Sequence, residues 1–170
     1  MQKTKNVKEY SNTKIGKNKM PHIRKANEDD SRDIFDWRND ELTRHMSHTS
    51  DFVDWNGHSG WFAASLINKN RLILMCEEES SNEKVAMVRF DIEGNRALIS
   101  INLSPKMRGK RKAKGCLSDA ISFFKKTYSD VQFIDAEIKS INIASQKSFI
   151  GVGFELLKED GDVLYYEYVV

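Results

Sequence analysis

The first third of the chain has the apolar spacing of amphipathic helices. Ile34, Phe35 and Trp37 fall on one helical face just after the polar run 27–30, whose Asn-Glu-Asp-Asp sequence suits a helix start through capping and the helix dipole. The pattern predicts a short strand at 22–26, a helix after 27–30, a shorter helix and loop at 41–50, and a helix at 58–68 with Trp61, Phe62 and Leu66 inward.

The remainder of the chain alternates strand-like runs with two further helices. Turns at 80–83 and 93–95 indicate antiparallel connections, and the turn at 159–162 indicates a final hairpin. Strands are predicted at 71–76, 85–91, 96–103 and 133–138, then from Phe154 and from Val163, with helices at 114–126 and 142–151. Strands flanked by helices on both sides predict an α/β fold of three layers around a mixed sheet.

A basic loop at 108–113 joins the strand ending at Leu103 to the next helix. The first amides of a helix lack intrahelical partners and carry the positive end of its dipole, so they bind phosphate groups well. Gly109 and Ala113 let a ligand approach the backbone, and the surrounding Arg and Lys side chains add positive charge. The spacing fits a pyrophosphate site and, equally, a solvated or nucleic-acid-binding surface.

The loop resembles the acyl-CoA loop of the GNAT family of N-acetyltransferases, whose pattern is Arg/Gln-x-x-Gly-x-Gly/Ala. Arg108 and Ala113 match its ends, whereas Arg111 stands where the family usually has Gly. The resemblance implies acetyl-CoA as the acetyl donor. The residues it places around the coenzyme are Arg108, Gly109, Lys110, Arg111, Lys112, Ala113 and Lys114.

A second block with the family's spacing runs from Asn142 to Phe154. The resemblance implies that Asn142 orients CoA or a water, although the same residue suits a helix N-cap. It also places Phe149 beside CoA, where many members have a Tyr that protonates the departing thiolate. Because Phe has no proton to donate, another group or water protonates the thiolate, or it leaves unprotonated.

A third set of residues resembles the subgroup that acetylates nucleotide-linked amino sugars, as in pseudaminic acid synthesis. It comprises Trp37-Arg38-Asn39, Arg44, Met46 and His58-x-x-Trp61-Phe62. The resemblance implies an acceptor site formed by Trp37, Arg38, Asn39, His58 and Trp61. N-terminal and ribosomal-protein acetyltransferases share parts of this pattern, so a peptide acceptor stays open, and on periodicity alone Trp37 is a core residue.

The resemblance also implies the GNAT fold, a three-layer α/β/α arrangement whose mostly antiparallel sheet is splayed between its fourth and fifth strands. Direct attack of an amine on the thioester then needs an oxyanion donor and a base. The amide of Leu103 is the expected donor, and Glu137 or His58 is the expected base. Each has a simpler alternative: Leu103 as an ordinary strand residue, Glu137 as a solvated carboxylate, and His58 as a sugar contact or helix cap.

Composition predicts a tail of residues 1–20 and a single domain at 21–170. Six lysines against the single Glu9 in the first nineteen residues, with little apolar content, predict a flexible basic tail with neither signal peptide nor membrane span. Over the whole chain, 27 Lys and Arg nearly balance 25 Asp and Glu, which gives no support to nucleic-acid binding. The expected partners are acetyl-CoA and a small amine, with the protein a monomer or homodimer.

Cys76 and Cys116 show neither metal-ligand nor disulfide-framework spacing. We expect both thiols to pack in the interior, with Cys116 a candidate for enhanced reactivity at a helix start. No metal is expected, and the predicted location is the cytoplasm. The two departures from the family pattern, Arg111 and Phe149, leave a CoA-binding regulator without turnover as a further alternative.

Overall fold

The computed structural model describes residues 22–170, so the predicted tail at 1–20 lies outside the described residues. Seven strands form one sheet in the order β1-β2-β3-β4-β5-β7-β6. The strands are β1 (His22–Lys25), β2 (Arg71–Glu77), β3 (Lys84–Glu93), β4 (Arg96–Leu103), β5 (Phe133–Lys139), β6 (Glu155–Asp160) and β7 (Val163–Val169). The helices are α1 (Ser31–Asn39), α2 (Glu41–Met46), α3 (Trp55–Ile67), α4 (Ala113–Thr127) and α5 (Ile143–Ile150).

The sheet is splayed between β4 and β5, as predicted. These two strands are parallel, whereas the other neighbouring strands pair antiparallel. Their register covers only Arg96 to Leu98 on β4 and Phe133 to Asp135 on β5, although both strands continue further. Beyond those pairs the strands diverge, which confirms the predicted α/β fold with a mixed, mostly antiparallel sheet.

Apolar side chains cluster on both faces of the sheet. On one face, α4 packs on the central strands, where Phe90 and Phe124 stack with ring centroids 4.2 Å apart. On the other face, Ile34 and Phe62 from α1 and α3 pack against Met75 of β2. Burying each such side chain contributes about 2–3 kcal/mol. Because the second cluster lies over β2 and β3, it leaves the same face of β5 and β7 open.

Helix α3 begins at Trp55, three residues before the predicted start. The Asp54 side chain accepts a hydrogen bond from Gly57 N at 2.9 Å and so caps the helix. Asp54 lies in a polar stretch before the apolar stripe of the helix. A prediction from apolar periodicity alone therefore starts the helix too late. The remaining elements agree with the predicted ones to within two residues at most ends.

The expectation that both cysteines pack as free thiols is wrong for this structure. Cys76 of β2 and Cys116 of α4 form a disulfide with their Cα atoms 5.8 Å apart, and both residues are fully buried. That separation lies in the normal range for a disulfide. The two residues are 40 positions apart in sequence, and only the packing of α4 on the sheet brings them together.

Candidate functional site

A cleft opens where β4 and β5 part. Its volume is about 460 Å³, and its walls come from α2, the end of β4, the loop at 104–113 and the first turns of α5. Ile101 and Leu103 supply an apolar floor, while Asn142, Ser145 and Ser148 supply polar groups. The cleft therefore offers an apolar passage bounded by polar groups, the usual character of a small-molecule site.

The loop at 108–113 has two residues in the left-handed backbone region. Gly109 has φ +73° and Arg111 has φ +59°. Glycine adopts this region at little cost, whereas a residue with a Cβ atom is strained there. The loop conformation thus explains a preference for glycine at position 111, and Arg111 adopts the same conformation with an exposed side chain.

Helix α4 begins directly after this loop, at Ala113. Its N-cap residue, Lys112, makes no side-chain capping bond, so no cap side chain occupies the first amides of the helix. Gly109, Arg111, Lys112 and Ala113 all border the cleft. The start of α4, with its dipole and these amides, therefore lies at the cleft, in the region where the sequence predicts an anion site.

Two basic side chains of the loop are engaged by other parts of the protein. Arg108 Nη2 donates to Asp40 Oδ2 at 2.5 Å and to Thr43 Oγ1 at 2.6 Å, which ties the loop to the start of α2. The hydrogen bond from Arg108 lowers the pKa of the Asp40 carboxyl. Lys112 Nζ pairs with Glu78 Oε1 at 2.7 Å. Lys110, Arg111 and Lys114 form no ion pair within residues 22–170.

The amide of Leu103 points toward the splay. Ser104 N donates to Val85 O of β3 at 2.9 Å. Successive amides of an extended chain point to opposite edges, so Leu103 N–H is directed away from β3 and toward the side from which β5 has diverged. The register with β5 stops at Leu98, five residues earlier. This is the geometry expected of an oxyanion donor to a ligand lying between the strands.

Helix α5 presents a polar face to the cleft. Asn142 caps the helix by accepting a hydrogen bond from Ser145 N at 3.2 Å, and it also lines the cleft. Ser145 and Ser148 lie beside it and were missed by the sequence reasoning, although their helical spacing from Asn142 was visible. Phe149 is 2% exposed and packs edge-on against Phe154, so its side chain belongs to the core.

The predicted acceptor residues on α1 hold a neighbouring segment in place. Trp37 is buried in the cluster beneath α1 and α3. Arg38 Nη2 donates to Thr49 O at 2.8 Å, and the Asn39 amide bonds both the carbonyl and the amide of Val53, at 2.8 and 2.9 Å. These contacts fix the segment at 49–53. Trp61 is half-buried beneath the guanidinium groups of Arg71 and Arg89.

His58 is not brought to the cleft. It is 2% exposed, stacks on Phe62, and its Nε2 lies 2.8 Å from the carbonyl oxygen of Ser31. Burial lowers the pKa of this imidazole, which favours its neutral form. In that form Nε2–H donates to Ser31 O and links α3 to α1.

A second cavity of about 410 Å³ lies along β5 and β7 on the open face of the sheet. Glu137 lines it and is paired in register with Tyr165, which also lines it. Asp135, at the end of the β4–β5 register, is held by Arg96. Glu137 has an exposed carboxylate, and His48 Nε2 lies 3.2 Å from its backbone oxygen. The sequence reasoning missed His48 because 89 positions separate the two residues.

The described part of the chain contains no group of three or more His, Cys, Asp or Glu side chains arranged to hold a metal ion. Within residues 22–170, no helix has both the length and the apolar character needed to cross a membrane.

By sequence, the chain matches no protein-family profile and no curated protein. Its fold, however, is similar to that of solved structures over nearly its whole length. A domain from Methanocaldococcus jannaschii has a TM-score of 0.75 at 21% identity, covering 88% of this chain and 98% of that one. Spermidine N-acetyltransferase from Vibrio cholerae, in complex with CoA and spermine, has a TM-score of 0.79 at 14% identity, covering 89% and 96%.

Ribosomal-protein-alanine N-acetyltransferase from Brucella melitensis has a TM-score of 0.73 at 19% identity, covering 88% of this chain and 99% of that one. An acetyltransferase of the GNAT family from Bacillus anthracis has a TM-score of 0.75 at 15% identity. At sequence identities this low, structural similarity shows the fold alone. Together with the splay between β4 and β5, it shows that this chain has the GNAT fold.

Proposed function

We propose that the protein is an acetyl-CoA-dependent N-acetyltransferase that moves an acetyl group to a primary amine. The observation that carries the proposal is the cleft at the splay, where an uncapped helix start, the Leu103 amide and Asn142 border one continuous space. CoA needs an anion site for its diphosphate and a narrow apolar passage for its pantetheine arm. The start of α4 borders the cleft, and Ile101 and Leu103 line it with apolar side chains, which supports both roles.

In this proposal the amides at the start of α4 bind the diphosphate, with Arg111 and Lys114 nearby as positive charge. The pantetheine arm runs along β4 between the diverging strands. The Leu103 amide donates to the thioester oxygen as negative charge develops on it, which stabilises the transition state more than the ground state. No metal is part of the reaction.

The acceptor amine approaches from the second cavity. Two carboxylates line this cavity, and because Asp135 is paired with Arg96, Glu137 is the one that favours a cationic ammonium group over a neutral or anionic competitor. We propose a nucleotide-linked amino sugar as the acceptor, because the segment Trp37-Arg38-Asn39 and the pair Trp61-Phe62 resemble the subgroup that uses such substrates. In this structure Arg38 and Asn39 hold the segment at 49–53 in place through hydrogen bonds, and Trp37 packs in the core beneath that region.

A polyamine or a peptide amine is the competing acceptor class, favoured by the likeness to spermidine and ribosomal-protein-alanine N-acetyltransferases. A panel of nucleotide-linked amino sugars, polyamines and peptide amines, incubated with labelled acetyl-CoA, separates these classes by product mass. We expect the highest kcat/KM with a nucleotide-linked amino sugar. Equal or better rates with the other amines would reject that acceptor, and CoA binding without transfer to any amine would make the protein a regulator.

Filling the cleft tests the location of the coenzyme. Ala144 lies on α5 at the cleft wall and is exposed, so Ala144→Trp should block the passage while the fold is kept. We expect calorimetric CoA binding to weaken by at least about 100-fold, equivalent to roughly 3 kcal/mol. Ala64→Trp, an exposed position on α3 away from the cleft, is the matched control and should bind CoA normally. Unchanged binding by Ala144→Trp would place the coenzyme elsewhere.

A further inference from the structure

His48 meets the diverged edge of β5 between the two cavities. It follows α2 in the chain, and its neighbours Met46 and Ser47 line the cleft at the splay. Its Nε2 lies 3.2 Å from the backbone oxygen of Glu137, whose residue lines the second cavity. The coenzyme side and the acceptor side of the proposed site therefore meet at this contact.

The contact fixes the protonation pattern of the ring. A backbone carbonyl oxygen can only accept a hydrogen bond, so Nε2 carries the proton in this arrangement. In the neutral ring the lone pair is then on Nδ1, which is the nitrogen able to take a proton from a substrate. The hydrogen bond also orients the ring, as a base in acyl transfer requires.

The Glu137 carboxylate lies close to the ring as well. Its Oε2 lies 3.9 Å from His48 Nε2, and both side chains are exposed, at 44% for His48 and 41% for Glu137. An imidazolium at this distance is attracted to the carboxylate, although solvent screens the interaction. Because the ring is open to solvent, a proton that it takes up can leave to water.

Other charged groups around the pair are already engaged. Lys139 Nζ donates to His45 O at 3.2 Å, and Arg96 neutralises Asp135. On the two strands beyond β5, Lys158 of β6 lies over the ring of Tyr165 of β7, with Nζ 4.5 Å from the ring centroid. Within residues 22–170, Glu137 is thus the carboxylate that lies within 4 Å of the His48 ring, and other titratable groups on neighbouring segments are Lys139, His45, Asp135, Lys158 and Tyr165.

We propose that His48, oriented by Glu137, is the proton acceptor for the incoming amine. This inference rests on the proposed N-acetyltransferase function. His48 Nδ1 takes one proton from the substrate ammonium and passes it to solvent. The neutral amine attacks the thioester carbon, a C–N bond forms, and the C–S bond breaks with its electron pair on sulfur. The remaining ammonium proton of the adduct goes to the thiolate, which gives the amide and the CoA thiol.

The experiment compares His48→Gln with His45→Gln. Both histidines are exposed and belong to the same segment, but only His48 contacts Glu137. We expect His48→Gln to lower kcat/KM at pH 7 by roughly 100-fold, the usual size of a general-base effect, with calorimetric CoA binding unchanged. His45→Gln should stay within about 2-fold of wild type. Glu137→Gln should give a smaller loss, roughly 10-fold, because it leaves the base in place.

The pH profile distinguishes a base from a merely structural residue. As pH rises, a growing share of the amine is neutral in solution, so the need for a protein base falls. The defect of His48→Gln should therefore shrink steadily from pH 7 to pH 9. A defect that is equal at every pH, or activity within 2-fold of wild type, would overturn this role for His48 and leave the proposed function intact. A wild-type protein that acetylates no amine would instead overturn the proposed function.

Discussion

At the scale of single residues, Arg111 departs most clearly from the family pattern, and its backbone explains why. Its φ of +59° lies where glycine is favoured, and a Cβ atom there costs about 1–2 kcal/mol. The loop nevertheless keeps its conformation, because it is closed at one end by Arg108 and at the other by the start of α4. Position 111 is therefore strained by its side chain, while its backbone keeps the conformation that glycine favours.

Replacing Arg111 by Gly should relieve this strain. Part of the gain is offset by the greater freedom of glycine in the unfolded chain, so we expect the free energy of unfolding to rise by roughly 0.5–1 kcal/mol. Urea denaturation monitored by circular dichroism measures it. Lys110→Gly, at the adjacent position without positive φ, should lower stability slightly and serves as the control. A less stable Arg111→Gly protein would contradict the strain argument.

At the scale of elements, Asp40 joins the start of α2 to the basic loop at 108–113. Its side chain caps α2 by accepting from Thr43 N at 3.0 Å, and the same oxygen accepts from Arg108. The sequence reasoning assigned Arg108 to a phosphate, whereas in this structure its guanidinium is bound at the start of α2. This ion pair therefore links the loop proposed to bind the coenzyme to the position of α2.

Asp40→Asn tests this coupling, because it keeps an oxygen for the cap and removes the charge. With Arg108 no longer neutralised, we expect the Kd for CoA to fall by about 3- to 10-fold, an effect of about 1 kcal/mol that suits a partly exposed ion pair. Calorimetry at low ionic strength gives the clearest signal. Asp36→Asn, which removes an exposed carboxylate paired with Arg32 on α1, should leave the Kd unchanged. A weaker affinity in Asp40→Asn would mean that the ion pair supports the binding-competent loop.

At the scale of the whole molecule, the Cys76–Cys116 disulfide fixes α4 to the sheet. It joins β2 to the first turn of the helix whose start forms the proposed diphosphate site. The bond lies among Val85, Ala86 and Met107, all buried, so it forms part of the packing between helix and sheet. A cross-link between positions 40 apart restricts the unfolded chain over a long loop.

Reduction of the disulfide should lower the free energy of unfolding by about 2–4 kcal/mol. Guanidinium denaturation with and without a thiol reductant measures the difference, and mass spectrometry after alkylation counts the free thiols. The variant with Cys76→Ala and Cys116→Ala should be insensitive to reductant. If wild type has the same midpoint in both conditions and two alkylated cysteines from the start, the protein carries free thiols instead.

The sequence by itself determined the order and type of the elements, since apolar periodicity and turn residues act locally. It also predicted an anion site after β4, because a basic loop before a helix is a local feature, and the resemblance added the splay and the proposed role of the Leu103 amide. Only the tertiary structure decided which distant residues meet. It buried His58 and Phe149, joined Cys76 to Cys116, turned Arg108 toward Asp40, and set His48 against Glu137. Such contacts depend on how the helices pack on the sheet, and the spacing of residues along the chain does not reveal that packing.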